Sequence, residues 1–291
     1  MTDVKPPITF KQQVAKLRSR GCIIDNEADV ISILSKVNYY RLSAYFLPFK
    51  KQDDSYIKGT NFNTIYRIYE FDRKLRHIFF SAIEEIEVFI RSTLAYYHAH
   101  EYGALGYLDG NNYSPKHKHQ DFLCKIETEK EKRKKEPFVA HHKEQYGDQF
   151  PIWVIIEIFS FGMLSFFYSD LPVNAQKDIA RKFFNTHQKT LKSWLKCCTD
   201  LRNFCAHFGR LYYKIFSSIP DGISELDQKN NRSLFGVAMT LKSLYTDANK
   251  WNTETLRDII SLFNEYRNDI QLKHIGFPDD WKEKLKKIAT R

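Results

Sequence analysis

Arg202, Asn203 and His207 are the residues of this chain best suited to holding a phosphate and moving a proton. They lie within one run, Leu201-Arg202-Asn203-Phe204-Cys205-Ala206-His207. Arginine stays protonated in proteins and presents a planar fork of donors that suits phosphate oxygens. Histidine titrates near neutral pH, so it can take and return a proton within one cycle. Asn203 and His207 are four apart and share a helix face. Arg202 and His207 are five apart, roughly 140° round a regular helix. They converge only if the helix begins or bends there, or if a second copy of the chain completes the site. The competing reading is that both make buried hydrogen bonds that tie helices together.

Further charged groups are candidates for the same cleft. Glu84, Glu87, Arg91 and His98 are spaced three, four and seven apart and form one stripe. That stripe is either a charged wall facing Arg202 and His207 or a solvated ion-pair face. Arg41 stands in a dense aromatic block, Asn38 to Phe49, which is either a stacking platform for bases or, more commonly, a packing knot. Arg210 is either a second phosphate contact or a surface charge. Lys130, Lys132, Arg133, Lys134 and Lys135 alternate with glutamates, the pattern of a solvated helix face or of a tether for an RNA backbone. His117/His119 and His141/His142 have no supporting carboxylates or thiols, so no metal site and no cofactor is expected.

Composition narrows the classes. The chain has 291 residues, 43% of them hydrophobic, enough for a full core. Eleven Gly and nine Pro are few for this length and favour long helices over many-turned sheets. A net charge of +10 with 17 Tyr and 23 Phe fits a polyanionic partner, because basic groups hold phosphates and rings stack on unpaired bases. Met1 to Phe10 is polar and no apolar run approaches the roughly 20 residues of a membrane span. The five cysteines show no CxxC spacing, so a reduced, cytoplasmic protein is the simplest account.

The elements that must position these residues read as all-α. Thr9 caps a helix over about Phe10 to Arg20, Gly21 ends it, and a second helix follows Asp25-Asn26. Lys50 to Thr60 is a loop or short hairpin that closes a small N-terminal helical lobe, residues 1–60. From Phe62 to about His100 the apolar period of Ile65, Ile68, Leu75, Phe79, Ile83, Ile86, Ile90 and Leu94 predicts one long helix or two in line. Gly103 to Asn112 breaks it. Ile152 to Phe167 is expected as a single apolar helix, and Ala175 to Phe184 as an amphipathic one. A helix through Leu191, Trp194, Leu195 and Cys198 then carries the motif and completes a core of residues 61–225. Leu234 to Leu244, Thr255 to Tyr266 (capped by Thr253 or Thr255) and a basic tail helix, Trp281 to Ile288, form a C-terminal helical extension, residues 226–291.

Arg202 to His207 fits the Arg-x(4–6)-His signature of the HEPN superfamily. Its company is more specific: Gly21 and the following helix, Asn38-Tyr39-Tyr40-Arg41-Leu42-Ser43-Ala44-Tyr45, Phe71-Asp72-Arg73-Lys74-Leu75-Arg76, Glu84 to Arg91, and Leu201 to Leu211. Together these resemble the bacterial abortive-infection (Abi) proteins of the AbiD/AbiF type over roughly residues 8 to 215. The resemblance implies a HEPN-like helical bundle, phage-defence or toxin-like activity, metal-independent RNA cleavage, and a homodimer with the active site at its interface. It also implies an RNA partner, as substrate and as a regulatory small RNA. Arg202 and His207 match the ends of the signature, and Asn203 the polar residue that follows the arginine. Glu87 and Arg91 lie where the family has auxiliary polar groups. The expectation is therefore an endoribonuclease. Its rivals are a non-catalytic RNA-binding module using the same basic cleft and a DNA-binding regulator that reads with its N-terminal helices.

Overall fold

A single helix of 41 residues, α4 (Phe62–Tyr102), spans about 60 Å and is the beam on which the other elements are mounted. This is a computed structural model and it describes residues 6–288; the ends of the polar leader and basic tail, residues 1–5 and 289–291, lie outside the described residues. Asn61 caps α4, its side chain accepting from the Asn63 N–H at 2.7 Å, and Gly103 ends it in the left-handed region at φ 81°. Its buried side runs from Phe62 and Ile65 through Phe79, Ile86 and Leu94.

Before it come α1 (Phe10–Ser19), α2 (Glu27–Lys36) and α3 (Tyr39–Phe46). Thr9 forms the expected cap, as a full capping box with Gln12. Lys50 to Thr60 is a short turn carrying an isolated bridge between Lys50 and Tyr56. After α4 follow α5 (His119–Lys132), α6 (Pro137–Gln145), α7 (Ile152–Ile155), α8 (Phe161–Asp170), α9 (Val173–Phe184) and α10 (Gln188–Ala206). Then come α11 (Leu234–Leu244), α12 (Ala248–Lys250), α13 (Arg257–Glu265) and α14 (Trp281–Leu285). The described residues contain no strand, so the fold is all-α. One hydrophobic cluster links Val14 at the start to Leu285 at the end, and α10 lies against α4, α8, α9 and α11.

Two expected helices are built differently. Ile152 to Phe167 is not one helix: a 3-10 turn over Ile156–Ile158 leads to extended Phe159, and α8 restarts at Phe161. In a continuous helix the Phe159 carbonyl would accept from the Met163 N–H. Here Arg91 takes that carbonyl at 2.8 Å, and the Ser160 hydroxyl accepts from Met163 at 3.3 Å. The helix expected from Thr255 starts earlier. Asp247 caps α12, and a π-helical stretch, Trp251–Leu256, joins it to α13. Thr253 is no cap, because its hydroxyl donates back to the Asn249 carbonyl inside that helix.

α4 also buries charge. Asp72 is fully buried and Arg76, one turn on, is 5% exposed. Their ion pair is 2.6 Å long. The Asp72 carboxylate also accepts from the Tyr45 hydroxyl at 2.7 Å, the Leu211 N–H at 3.1 Å and the Tyr212 N–H at 2.8 Å. Arg76 donates in turn to the Gly209 carbonyl at 3.0 Å. Burial pushes the Asp72 carboxyl up; Arg76, Tyr45 and the two backbone N–H groups oppose that shift. One buried carboxylate thus joins α3, α4 and the segment that follows α10.

His98 is the other polar group fully buried on α4. It packs between the rings of Tyr102 and Phe167, and neither ring nitrogen has a partner. Burial lowers its pKa to about 4. A folded-state pKa below the unfolded value means stability that is full above about pH 6.5 and lost as pH falls towards 4. Over that window His98 should cost roughly 3 kcal/mol. His98→Leu should therefore hold its melting temperature better than wild type between pH 6.5 and 4; parallel curves would show that His98 is not the sensor. For the ion pair, Asp72→Ala strands Arg76 and two amides, and should lose about 3–5 kcal/mol in urea titration. The Leu211 and Tyr212 amides should then exchange faster, whereas an Asp72→Leu/Arg76→Met double variant should recover part of the loss.

Candidate functional site

The motif occupies the last turn of α10. The helix is regular to Ala206 and His207 is its C-cap, with φ −95° and ψ 17°. It neither begins nor bends between Arg202 and His207. Phe208 then takes the left-handed conformation at φ 55°, and the Gly209 N–H closes the turn onto the Phe204 carbonyl at 2.7 Å. Glycine normally fills the left-handed position after a helix. Here it comes one residue later, because a Cβ on Gly209 would sit 2.4 Å from the Phe204 ring. A bulky residue at positive φ is strained by about 1–3 kcal/mol.

Asn203 and His207 are exposed and Arg202 is half-buried. Among the described residues, none of the three side chains hydrogen-bonds to the protein, and the Arg202 Nε is shut from solvent with no partner. The buried-hydrogen-bond reading of the motif therefore has no partner to point to. Arg202 and His207 also make no bond to one another.

The other face of the motif opens on a cavity of about 660 Å³. Cys205, Ala206 and Phe208 line it from the motif, Arg41 from α3, and Tyr69, Arg73, Arg76, His77 and Phe80 from α4. A second cavity of about 620 Å³ adjoins it, lined by Asn38, Tyr40, Arg41, Ala44, Tyr45, Phe208 and Arg210. Neither lining contains a carboxylate. Arg73 is paired with Glu70 at 2.9 Å and Arg76 with Asp72. Arg41 and Arg210 have no carboxylate partner among the described residues; each holds a carbonyl of the opposite segment. Arg41 donates to the Phe208 carbonyl at 2.8 Å and Arg210 to the Ala44 carbonyl. The two bonds clasp α3 to the turn after α10, and leave both positive charges uncompensated at the cavity walls. In the aromatic block around Arg41, Leu42, Tyr45 and Phe46 are core, as a packing knot requires, while Tyr40 is 85% exposed.

Several expected site residues have other roles. His98 is not on a cleft wall: it is core, since α4 at that point is covered on the His98 side by Tyr113 and Phe167. Glu87 and Arg91 are mostly buried and paired at 2.5 Å, and Arg91 staples α4 to the start of α8 through the Phe159 carbonyl. Both are partly exposed, while Glu84 is exposed. Lys130 is not a free tether: it is 9% exposed, lies over the Phe150 ring and is paired with Glu127 and Asp148. Lys132, Arg133 and Lys134 pair with Glu129 or Glu131 one turn away, and Lys135 is exposed. Among the described residues no group of three or more His, Cys, Asp or Glu is placed to hold a metal. His117 engages Asp170 and His119, and His119 the Leu108 carbonyl.

Sequence reasoning left Asp72, Arg73, Arg76, His77, Phe80 and Phe208 without a role. A signal for the ion pair was present: 65, 68, 72, 75/76 and 79 form one stripe at helical spacing, and Asp72 and Arg76 interrupt it with opposite charges four apart.

No helix of the described residues is long and apolar enough to cross a membrane. No curated protein and no solved structure matches the chain. A family model, Abi-like protein, matches residues 32–213, from α2 through the long helix and the motif to the turn that Asp72 anchors. That is more than half of the sequence, and the chain belongs to the Abi-like protein family.

Proposed function

We propose that this protein is a metal-independent endoribonuclease of the HEPN type, acting in abortive infection, the defence of bacteria against phage. The observation that carries this reading is the state of the motif. Arg202 has a buried donor with no protein partner, His207 is exposed at a helix end, and their chain neighbours Cys205, Ala206 and Phe208 line cavities with cationic, carboxylate-free walls. Groups with these properties suit a phosphodiester better than they suit a structural bond.

In the proposed reaction the substrate's own 2′-OH is the nucleophile. Its oxygen attacks the adjacent phosphorus while the P–O5′ bond breaks. His207 removes the 2′ proton or supplies one to the departing 5′ oxygen. Arg202 neutralises the charge that grows on the non-bridging oxygens, and Asn203 orients the phosphate or the imidazole. The products are a 2′,3′-cyclic phosphate and a 5′-hydroxyl. One histidine does not readily serve as acid and base together, and a regular helix separates Arg202 from His207 by roughly 140°. A homodimer that brings two motifs to one strand resolves both difficulties. A partner RNA in the same cleft would hold the enzyme silent.

The test is cleavage of end-labelled RNA with and without EDTA. Wild type should cut in EDTA and leave cyclic-phosphate ends, and Arg202→Ala and His207→Ala should each lose about 100-fold or more. Light scattering should give a dimer at micromolar concentration; a strict monomer that cuts normally would remove the composite site. Folded wild type that binds RNA through the motif but never cuts would make the protein an RNA-binding module. A protected footprint on duplex DNA would point to a regulator instead.

A further inference from the structure

The two cavities beside the motif share a wall, and that wall is made of Phe208 and Arg41. The Arg41 guanidinium lies 5.9 Å from the centre of the Phe208 ring. Phe80, 40% exposed, also lines the first cavity, and Tyr40, 85% exposed, the second. Three accessible rings therefore line two adjoining spaces, with Phe208 common to both, and each space is of a size for a small-molecule ligand, roughly 300–1,000 Å³. Arg73 faces the first space, Arg210 the second, and Arg41 both.

The geometry points to a two-nucleotide binding track for unpaired RNA, in which Phe208 wedges between consecutive bases and Arg41 and Arg210 hold the phosphate that joins them. This track rests on the reading of the protein as RNA-binding, and specifies which form of RNA it takes. Stacking between rings requires bases freed from a duplex. Repetition of ring and arginine across a shared wall fits a strand better than a lone nucleotide. The backbone supplies an independent observation. Phe208 is a bulky residue at φ 55°, 65% exposed, so core packing does not explain why a strained position carries a large ring. Strain of this kind persists where function requires it.

The test uses equilibrium binding in a His207→Ala background, so that the strand stays intact. A labelled eight-residue oligouridine is compared with the same strand annealed to its complement, and with uridine monophosphate as competitor. The unpaired strand should bind at least about tenfold more tightly than the duplex. Phe208→Asn and Tyr40→Ala should each weaken it about 5- to 100-fold, the range expected for loss of one stacked base. Tyr146→Ala, which removes an exposed ring elsewhere, should not. Asparagine accepts left-handed backbone, so Phe208→Asn should melt no lower than its parent. Tyr40→Ala carries the test if it does melt lower. Equal affinity for duplex and strand, or a well-folded Phe208→Asn that binds like its parent, would overturn the track. So would uridine monophosphate binding as tightly as the oligomer, which would mark a pocket for free nucleotides. Because binding is read without cleavage, a strand that binds through Phe208 in this background and is also left uncut by wild type would remove the nuclease alone. An active nuclease whose KM is unchanged by Phe208→Asn would remove the track alone.

Discussion

The ion pair between Asp72 and Arg76 is the contact on which the rest of the site depends. A carboxylate without water is costly, and its cost is offset only when every acceptor position is filled. Asp72 fills them with the Arg76 guanidinium, the Tyr45 hydroxyl and the Leu211 and Tyr212 amides. Arg76 lies on α4 with it, but the hydroxyl and the two amides come from segments that would otherwise be free to shift. The chain leaving α10 has no regular structure between Gly209 and Tyr212 to hold it, and Asp72 and Arg76 supply the bonds that a helix or strand would have supplied. The position of the motif relative to α4 follows from that anchoring.

A second device works on the first. Arg41 and Arg210 exchange bonds to carbonyls across the gap between α3 and the turn at Phe208. Carbonyl partners orient a guanidinium without cancelling its charge, unlike the carboxylates that engage Arg73 and Arg76. The same bonds that join the N-terminal lobe to the motif thus leave a positive potential at the cavity walls. The family match, residues 32–213, takes in both α3 and the motif.

Identical residue types elsewhere became structural, and burial decided which. Arg91 is an arginine near a carboxylate, as Arg73 is, but it is half-buried and donates to the Phe159 carbonyl just before α8. His98 has the same side chain as His207, yet it is enclosed by rings and held neutral. Lys130 sits in a run of cations but folds inward over Phe150. Helical spacing reports which residues share a face; it does not report what covers that face.

The sequence by itself determined the elements. Apolar period, caps and glycine breaks placed the long helix and the N-terminal pair to within a few residues, because these depend on local backbone and on one buried stripe. It also singled out Arg202, Asn203 and His207, since their chemistry is readable from type and spacing. It missed the break at Phe159, where a side chain 68 residues away takes one carbonyl. It left Asp72, Arg76 and Phe208 without a role for the same reason. Their partners are 133 to 140 positions distant, or come from another helix altogether, and only tertiary packing decided that they meet.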